Sequence, residues 1–443
     1  MDYLIICGLI AEVVVLSWVD RKVYGTWLTP LTLLGYPYTA TVVIAFLFAR
    51  TLDFVPLYTP SVLIWIVGLF IFWLGGVVLG WGVFRLNSGR ANPRSSSSST
   101  PCESKTETGS VKWSIRCAWA ITPILVLGFL SVLGKSGGWA DLGSPDFRNN
   151  YSGGVHAHAL VFALALVVLL VGTYQKGRRA QLFAVVVLMI FLVASRVKGT
   201  MFQPLIGGLM FQALGGNSRL SLRKILILVP CSFLAFILLY TLTLAISGAS
   251  VATDWDVYSV LSRHYFFYLL AGPLCLGEAV RTHVTNVGGE WYTLFSPFIN
   301  IIRALLGSAD LVPAGSSIDK GMIIDFQATW SLGEANVYTF FGTPYLYLGI
   351  WGGMLYAWVA SLVCYGLLIL AKMTRSEWVL VSYCFIGAQL FFGFFELYFW
   401  YLTSLELVTY ALLLALFCEM WAIKRPIRQV GTVSHANPTS LGA

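Results

Sequence analysis

Eleven apolar runs divide the chain, and most of them are long enough to cross a membrane. A helix needs about 20 residues to span the hydrocarbon core of a bilayer. Only 11% of the 443 residues are charged, whereas a soluble globular chain carries about 25%. The sequence therefore predicts an all-α polytopic membrane protein with about 11 transmembrane helices. The predicted spans are residues 4–19, 31–48, 62–84, 117–133, 155–173, 182–195, 201–214, 225–246, 346–370, 379–399 and 402–423.

The basic residues lie mainly in short loops between these runs, and their distribution predicts the orientation. Cytoplasmic loops of membrane proteins are enriched in Lys and Arg. When the loop from Arg85 to Arg116 is placed in the cytoplasm, 19 basic residues face inward and 9 face outward. The N-terminus is then outside and the C-terminus is in the cytoplasm. The formal net charge of +8 is thus explained by topology, and we expect no nucleic-acid partner.

The spans divide the chain into four parts. Residues 1–246 hold predicted transmembrane helices 1–8, with a disordered cytoplasmic linker near 86–112, and residues 247–335 form one large outer loop. Helices 9–11 occupy residues 336–423, and a cytoplasmic tail covers 424–443. Within the outer loop, residues 265–276 and 294–306 are apolar and aromatic, which predicts short helices lying in the membrane interface. The eight cysteines have no spacing typical of a metal site, and no metal is expected.

Cations at the outer membrane surface are the first candidates for a binding site. Arg196 and Lys198 lie between two short spans, against the inward bias of positive charge. Such a pair either anchors helix ends by reaching toward the headgroups or binds an anion such as a phosphate or diphosphate. Charges at membrane depth favour the functional interpretation. Three arginines of the outer loop are predicted to converge with Arg196 on one diphosphate: Arg263, Arg281 and Arg303.

Several side chains of the outer face are candidates for proton transfer. His264 follows Arg263 directly, and Glu290 lies further along the same loop; either can act as a general base. An exposed interfacial histidine is the alternative interpretation of His264. The pair His156 and His158 lacks further ligands for a metal, and the Asp254-Trp255-Asp256 triplet is typical of a solvated turn as well as of a metal-binding DxD motif. Three glutamates lie within spans, where each needs a paired cation or the neutral form: Glu12, Glu396 and Glu406.

One segment after the outer loop resembles a known signature. Asn336-Val337-Tyr338-Thr339-Phe340-Phe341, followed by Tyr347-Leu348-Gly349-Ile350-Trp351-Gly352-Gly353, is similar to the "NvyT … dfGxxG" pattern of Wzy-type O-antigen and oligosaccharide repeat-unit polymerases. In that family the pattern opens the helix after the large periplasmic loop, which is its position here. Tyr347 stands where the family commonly has an acidic residue, so the role of that acid does not transfer.

The resemblance implies a GT-C-like membrane glycosyltransferase of the bacterial inner membrane. Such an enzyme transfers a glycan from undecaprenyl diphosphate to another lipid-linked repeat unit at the periplasmic face, without a cofactor. It implies diphosphate binding by the basic residues named above, substrate binding by Asn336 and Tyr338, and general-base catalysis by His264 or Glu290. It also implies three partners: the lipid-linked oligosaccharide, the bilayer and a chain-length regulator protein.

Two other functions fit the same hydropathy profile. An O-antigen ligase would share the topology, the donor and the fold, and would use the lipid A core as acceptor. A transporter or flippase of lipid-linked sugars would show paired broken helices and ion-coupling acids within its spans. The large outer loop and the scarcity of charge within the spans favour the polymerase over the transporter.

Overall fold

The structure is a computed structural model, and it describes thirteen helices and one very short strand pair. The described residues are 2–88, 107–139, 144–151, 153–175, 177–195, 198–215, 255–284, 291–307, 321–322, 334–335, 337–374 and 376–423, with three isolated positions at 234, 237 and 241. The predicted span 225–246 and the predicted tail therefore lie outside the described residues, apart from those three positions. So does most of the predicted linker, although helices extend into both of its ends.

Most of the helices follow the apolar runs of the sequence. In chain order they are α1 Asp2–Tyr24, α2 Pro30–Phe48, α3 Val62–Ser88, α4 Glu107–Lys135, α5 Pro145–Tyr151, α6 Val155–Gly172, α7 Arg179–Ala194, α8 Lys198–Leu214, α9 Trp255–Arg281, α10 Ser296–Leu305, α11 Gly342–Thr374, α12 Glu377–Phe391 and α13 Leu402–Ile423. Short 3-10 turns cover Arg50–Leu52, Thr59–Ser61, Trp291–Phe295, Phe392–Phe394 and Tyr398–Trp400. Strands β1 Gly321–Met322 and β2 Glu334–Ala335 pair antiparallel, with Gly321 opposite Ala335.

Six helical segments of the described chain are long and apolar enough to cross a membrane. They lie in α1, α2, α3, α4, α11 and α12, the last continuing into its following 3-10 turn, and four shorter apolar helices lie in α6, α7, α8 and α13. These ten helices coincide with ten of the eleven predicted spans. The all-helical membrane fold is therefore confirmed, whereas the total of eleven spans stays a prediction.

The bundle is held together by close contacts between long helices. α3 packs along α11, and α6 packs along α8. At the first of these contacts, Gly75 and Gly76 of α3 lie against Ser361 and Tyr365 of α11. The Ser361 hydroxyl donates a hydrogen bond to the carbonyl of Phe72. Small residues at such contacts let helices approach closely, which stabilises association within a membrane.

The bundle has two ends, which we name after Lys372 and Tyr338. At the Lys372 end the Lys372 ammonium donates to the carbonyl of Tyr24, and the Tyr383 hydroxyl donates to the carbonyl of Leu28 at 2.6 Å. At the Tyr338 end the Thr59 hydroxyl donates to Asp2 at 2.7 Å. The charge distribution predicts that the Lys372 end is cytoplasmic.

Helix α9 departs from the predicted interfacial helix at 265–276. It is a single helix of 27 residues, and its second half lies inside the bundle. Leu270, Ala271, Leu274 and Leu276 are buried, and α9 packs against α2 and against the turn Thr59–Ser61. The helix is buried because one of its faces consists of apolar and small residues, which pack against α2 and the turn Thr59–Ser61. α10 does form a short helix over the second predicted segment.

Two of the predicted spans are interrupted. The helix predicted over 379–399 ends at Phe391, and two 3-10 turns follow before α13. Within α11, Gly349 has φ 69° and ψ −174°, which breaks the helical geometry after its first two turns. This backbone conformation carries little strain only for glycine. Both interruptions lie toward the Tyr338 end.

Candidate active site at the Tyr338 end of the bundle

The segment that carries the family resemblance is built into the interruption after α12. The Phe340 amide donates to the carbonyl of Gly393 at 2.7 Å, and the Thr339 amide donates to the carbonyl of Phe395 at 3.3 Å. Interrupted backbone at membrane depth is tolerated where protein groups satisfy it. The segment therefore supplies the hydrogen bonds that allow the chain to unwind there. Tyr338 is only 2% exposed, so its side chain is buried in this structure and its predicted role in substrate binding stays a prediction.

Thr339 fixes the position of this segment. Its backbone has φ 68°, and its hydroxyl accepts a hydrogen bond from the indole N–H of Trp65 at 2.8 Å. The same oxygen accepts from the amide of Gly342 at 3.2 Å, which caps the start of α11. Trp65 in turn stacks on Tyr38 with ring centroids 3.4 Å apart. Trp65 of α3 thus connects Tyr38 of α2 with Thr339, just before α11.

Replacing Thr339 with valine is expected to destabilise the protein by about 1–3 kcal/mol. The change keeps the shape but leaves the buried Trp65 N–H without its acceptor. The thermal unfolding temperature of the purified protein in detergent measures the effect. Thr51→Val is the matched control, because Thr51 is exposed and surface changes usually shift stability by less than about 0.5 kcal/mol. Equal unfolding temperatures for both variants would contradict the anchoring role of Thr339.

A histidine–carboxylate pair lies between α6 and α13. His158 Nδ1 is 2.6 Å from Glu406 Oε1, and the Tyr410 hydroxyl donates to the same oxygen. The His158 side chain is 56% exposed, whereas that of Glu406 is 11% exposed. A carboxylate that accepts from Nδ1–H fixes the imidazole tautomer and leaves Nε2 free to accept a proton. The arrangement is therefore suited to general-base chemistry.

The sequence contains a signal for this pair. Glu406 lies within a predicted span, and a carboxylate there needs a cationic or hydrogen-bonding partner. His158 lies in another apolar span at the same end of the bundle. The expectation of a partner is confirmed for Glu406. The identity of that partner was not predictable, because 248 residues separate the two side chains along the chain.

A second polar cluster surrounds the interruption after α12. The Tyr401 hydroxyl donates to Glu396 at 2.5 Å. Gln389 donates to the Ser404 hydroxyl at 2.7 Å, and that hydroxyl donates to the carbonyl of Tyr398 at 2.8 Å. These bonds connect the end of α12 to the start of α13. Glu396, the second of the predicted in-span glutamates, is thus held in a hydrogen-bonded position.

Helix α9 separates two of the arginines predicted to bind one diphosphate. Arg263 and Arg281 both belong to this helix, 18 residues apart. At 1.5 Å per residue their Cα atoms are about 27 Å apart. A single diphosphate cannot contact both side chains, so the four predicted arginines cannot all bind the same diphosphate. The physical reason is the continuous helix over Trp255–Arg281, where the sequence predicts only a short helix over 265–276 within a loop.

Arg281 is also engaged by a neighbour. Its guanidinium donates two hydrogen bonds to Glu278, at 2.6 Å and 2.9 Å. These bonds to the carboxylate raise the pKa of Arg281 above its usual value. The paired charge makes Arg281 a weaker candidate for diphosphate binding than an uncompensated arginine.

Helix α10 carries the last predicted arginine. Arg303 is half-buried on this helix, whereas Phe298, Ile302 and Leu305 are exposed. A short helix with one exposed apolar face is typical of a membrane interface. α10 contacts α13, which carries Glu406. The predicted interfacial position of this segment therefore agrees with the exposed apolar face.

The remaining predicted residues differ in how far the structure describes them. His264 lies in α9 one helical turn before Tyr268, whose ring is 5.6 Å from that of Phe395, next to Glu396. The side chains of Lys198, Arg263 and His264 lie outside the described part of the structure. So do Arg196, Asp254, Glu290 and Asn336, together with the side chain of Asp256. Their roles stay predictions.

Metal sites in proteins are clusters of His, Cys, Asp or Glu side chains. Among the described residues, no group of three or more of these side chains could hold a metal ion. The His156 ring packs against Tyr151, with centroids 5.3 Å apart, while His158 pairs with Glu406. The two histidines thus have different partners.

Comparison with known proteins gives one match. The model of DUF6337, a family of unknown function, matches residues 53–424 of the 443. No curated protein and no solved structure matches the chain. The family match begins before α3 and ends just after α13, so it includes His158, Glu396, Glu406 and the 337–341 segment. Because most of its length is matched, the chain belongs to the DUF6337 family.

Proposed function

We propose that this protein polymerises lipid-linked oligosaccharides as a Wzy-type membrane glycosyltransferase. It would join undecaprenyl-diphosphate-linked repeat units into O-antigen or a related surface polysaccharide. The work would take place at the periplasmic face of the bacterial inner membrane. The observation that carries the proposal is the position of the 337–341 segment. It hydrogen-bonds to the interruption that contains Glu396, and it lies at the same end of the bundle as the His158–Glu406 pair.

The chemistry needs a base and a site for a leaving diphosphate. A hydroxyl of the acceptor sugar attacks the anomeric carbon of the donor, and a new C–O bond forms there. The bond between that carbon and the diphosphate oxygen breaks, and the electron pair leaves with undecaprenyl diphosphate. In this proposal His158 Nε2 takes the hydroxyl proton, while Glu406 holds the ring and stabilises the imidazolium. His264 and Glu290 are the other candidate bases.

The cation set for the diphosphate is smaller than the sequence predicts. Arg196, Lys198 and Arg263 keep that role in the proposal, and Arg303 on α10 would contact the lipid at the membrane interface. Arginine side chains match diphosphate oxygens two at a time, and they neutralise the leaving group without a metal. Arg281 is left out because Glu278 engages it.

A surface-glycan ladder tests the proposal. The gene is deleted in its source bacterium, and the strain is complemented with wild-type protein or with Arg196→Ala. We expect deletion to collapse the ladder to a single repeat, and only wild type to restore it. Loss of all attached glycan would indicate an O-antigen ligase. An unchanged ladder would contradict both glycosyltransferase functions.

One observation favours a second function. The interruptions at Gly349 and after Phe391 are two broken segments at one end of the bundle. Broken helices near a binding site are typical of secondary transporters. A flippase of lipid-linked sugars is therefore the second candidate. It predicts movement of the lipid across the bilayer with no change in glycan length, which a reconstituted system distinguishes from polymerisation.

A further inference from the structure

A cavity opens at the Lys372 end, far from the candidate active site. Its volume is about 450 Å³, and it lies where the ends of α6, α8 and α11 meet the starts of α4, α7 and α12. Its lining divides into a polar part and an apolar part. The polar part includes Arg178, Lys372, Ser376 and Glu377, and Phe211 and Leu380 belong to the apolar part.

Two cations line the polar part. Arg178 immediately precedes α7, and Lys372 lies in the last turn of α11. Within the part of the chain that the structure describes, neither side chain forms an ion pair. Lys372 donates one hydrogen bond to the carbonyl of Tyr24, and its ammonium has two further N–H donors. These cations have charge available for an anionic ligand.

The start of α12 adds a second favourable feature. Ser376 precedes this helix of 15 residues and makes no side-chain capping bond. The first amides of a helix lack partners within it, so they attract anions. Glu377, in the first turn, opposes this effect with its negative charge. Arg178, Lys372 and Glu377 together carry a net charge of +1.

The cavity lies at the level expected for lipid headgroups. Two tryptophans at the same end of the bundle, Trp18 and Trp27, are about half exposed, and each lies against a cation of α1. Lys22 lies 4.4 Å from the Trp18 ring centroid, and Arg21 lies 4.6 Å from that of Trp27. Tryptophan and basic residues of this kind mark the interface between hydrocarbon and water. The apolar lining of the cavity can therefore accept the beginning of an acyl chain.

We propose that this cavity binds the phosphate group of an anionic phospholipid. Arg178 and Lys372 contact the phosphate oxygens, and the apolar walls contact the glycerol backbone and the first acyl carbons. Basic pockets between transmembrane helices are suited to anionic headgroups. The site is independent of the proposed function, because it lies at the other end of the bundle and uses none of the candidate catalytic residues.

The test is lipid binding by the full-length protein purified in detergent, followed by native mass spectrometry. Dioctanoyl phosphatidylglycerol is the probe, and dioctanoyl phosphatidylcholine is the zwitterionic comparison. We expect wild type to bind the anionic lipid more tightly. The double change Arg178→Gln with Lys372→Gln is expected to weaken the affinity for the anionic lipid about 30-fold. The reason is that it removes two basic residues, each of which contributes about 1 kcal/mol near an anionic membrane surface.

Two further variants control for charge and folding. Arg179→Gln removes a neighbouring exposed cation that does not line the cavity, and its affinity is expected to stay within about twofold of wild type. Glu377→Gln removes the opposing charge and is expected to strengthen binding roughly fivefold. Because Glu377→Gln predicts tighter binding, it tests the proposal even if the double variant fails to fold.

Three results of the comparisons between lipids and variants would overturn the proposal, and a fourth comes from competition with phosphate. One is equal affinity for the two lipids, and another is unchanged binding in a folded double variant. The third is weaker or unchanged binding in Glu377→Gln. Inorganic phosphate is added as a competitor to identify the source of the phosphate group. Displacement of the lipid at equal concentration would assign the cavity to free phosphate and contradict a lipid site.

Discussion

Gly272→Ala is expected to destabilise the protein more than a glycine-to-alanine change at the other glycine of α9, Gly277. A Cβ at Gly272 would collide with the carbonyl oxygen of Phe394 and would meet that of Phe395 at 2.9 Å. Both atoms are backbone, so no side-chain rotation relieves the contact. Overpacking of this kind costs about 1–3 kcal/mol and occasionally more. The thermal unfolding temperature of the purified protein measures the loss.

Gly82→Ala is the matched control for this change. Gly82 also lies in a helix, α3, and a Cβ there would meet nothing within 4 Å. Alanine is favoured over glycine in a helix by about 0.5–1 kcal/mol, so this variant is expected to be neutral or stabilised. If both variants unfolded at the same temperature as wild type, α9 would not pack against the interruption after α12.

The largest expected effect on activity belongs to the His158–Glu406 pair. His158→Gln keeps a polar side chain of similar size but removes the group that would accept the proton. Loss of a general base typically costs about 10²–10⁴ in rate. Glu406→Gln keeps the contact but removes the charge that stabilises the imidazolium, and a smaller loss is expected. Glycan chain length in the complemented deletion strain, together with the amount of protein in the membrane, measures both variants.

His283→Asn is the control for the histidine variants. His283 is exposed and has φ 55°, a conformation that asparagine tolerates. This variant is expected to make glycan like wild type. Normal chain lengths in His158→Gln at normal protein level would exclude His158 as the base and would leave His264 and Glu290 as candidates.

Ten of the helices could be predicted from the sequence because each is an apolar run. The interruptions could not. Residues 379–399 are mostly apolar and aromatic, and no proline or turn motif marks Phe391 as the end of a helix. The deciding hydrogen bonds come from Thr339 and Phe340, more than 50 residues away. The length of an apolar segment predicts that a helix can form, but it does not predict which backbone groups form hydrogen bonds with residues distant in the sequence.

The position of α9 shows a similar limit. The sequence predicts a short interfacial helix over residues 265–276 because this stretch of the outer loop is apolar and aromatic. The helix instead extends to Trp255 and Arg281 and buries Leu270 and Leu274 against α2 and its neighbours. Gly272 permits this close approach. From a single sequence, a glycine that permits close packing cannot be distinguished from a glycine in a loop. That extension also places Arg263 and Arg281 too far apart to share one ligand.

Reconstitution with the proposed substrate tests the central claim most directly. The purified protein is placed in vesicles that contain undecaprenyl-diphosphate-linked repeat units, and the lipid-linked products are separated by glycan length. We predict products with two or more repeats and release of undecaprenyl diphosphate in proportion to the linkages formed. Substrate of unchanged length in the presence of folded protein would contradict the polymerase function, and accompanying movement of that substrate across the bilayer would establish the flippase in its place.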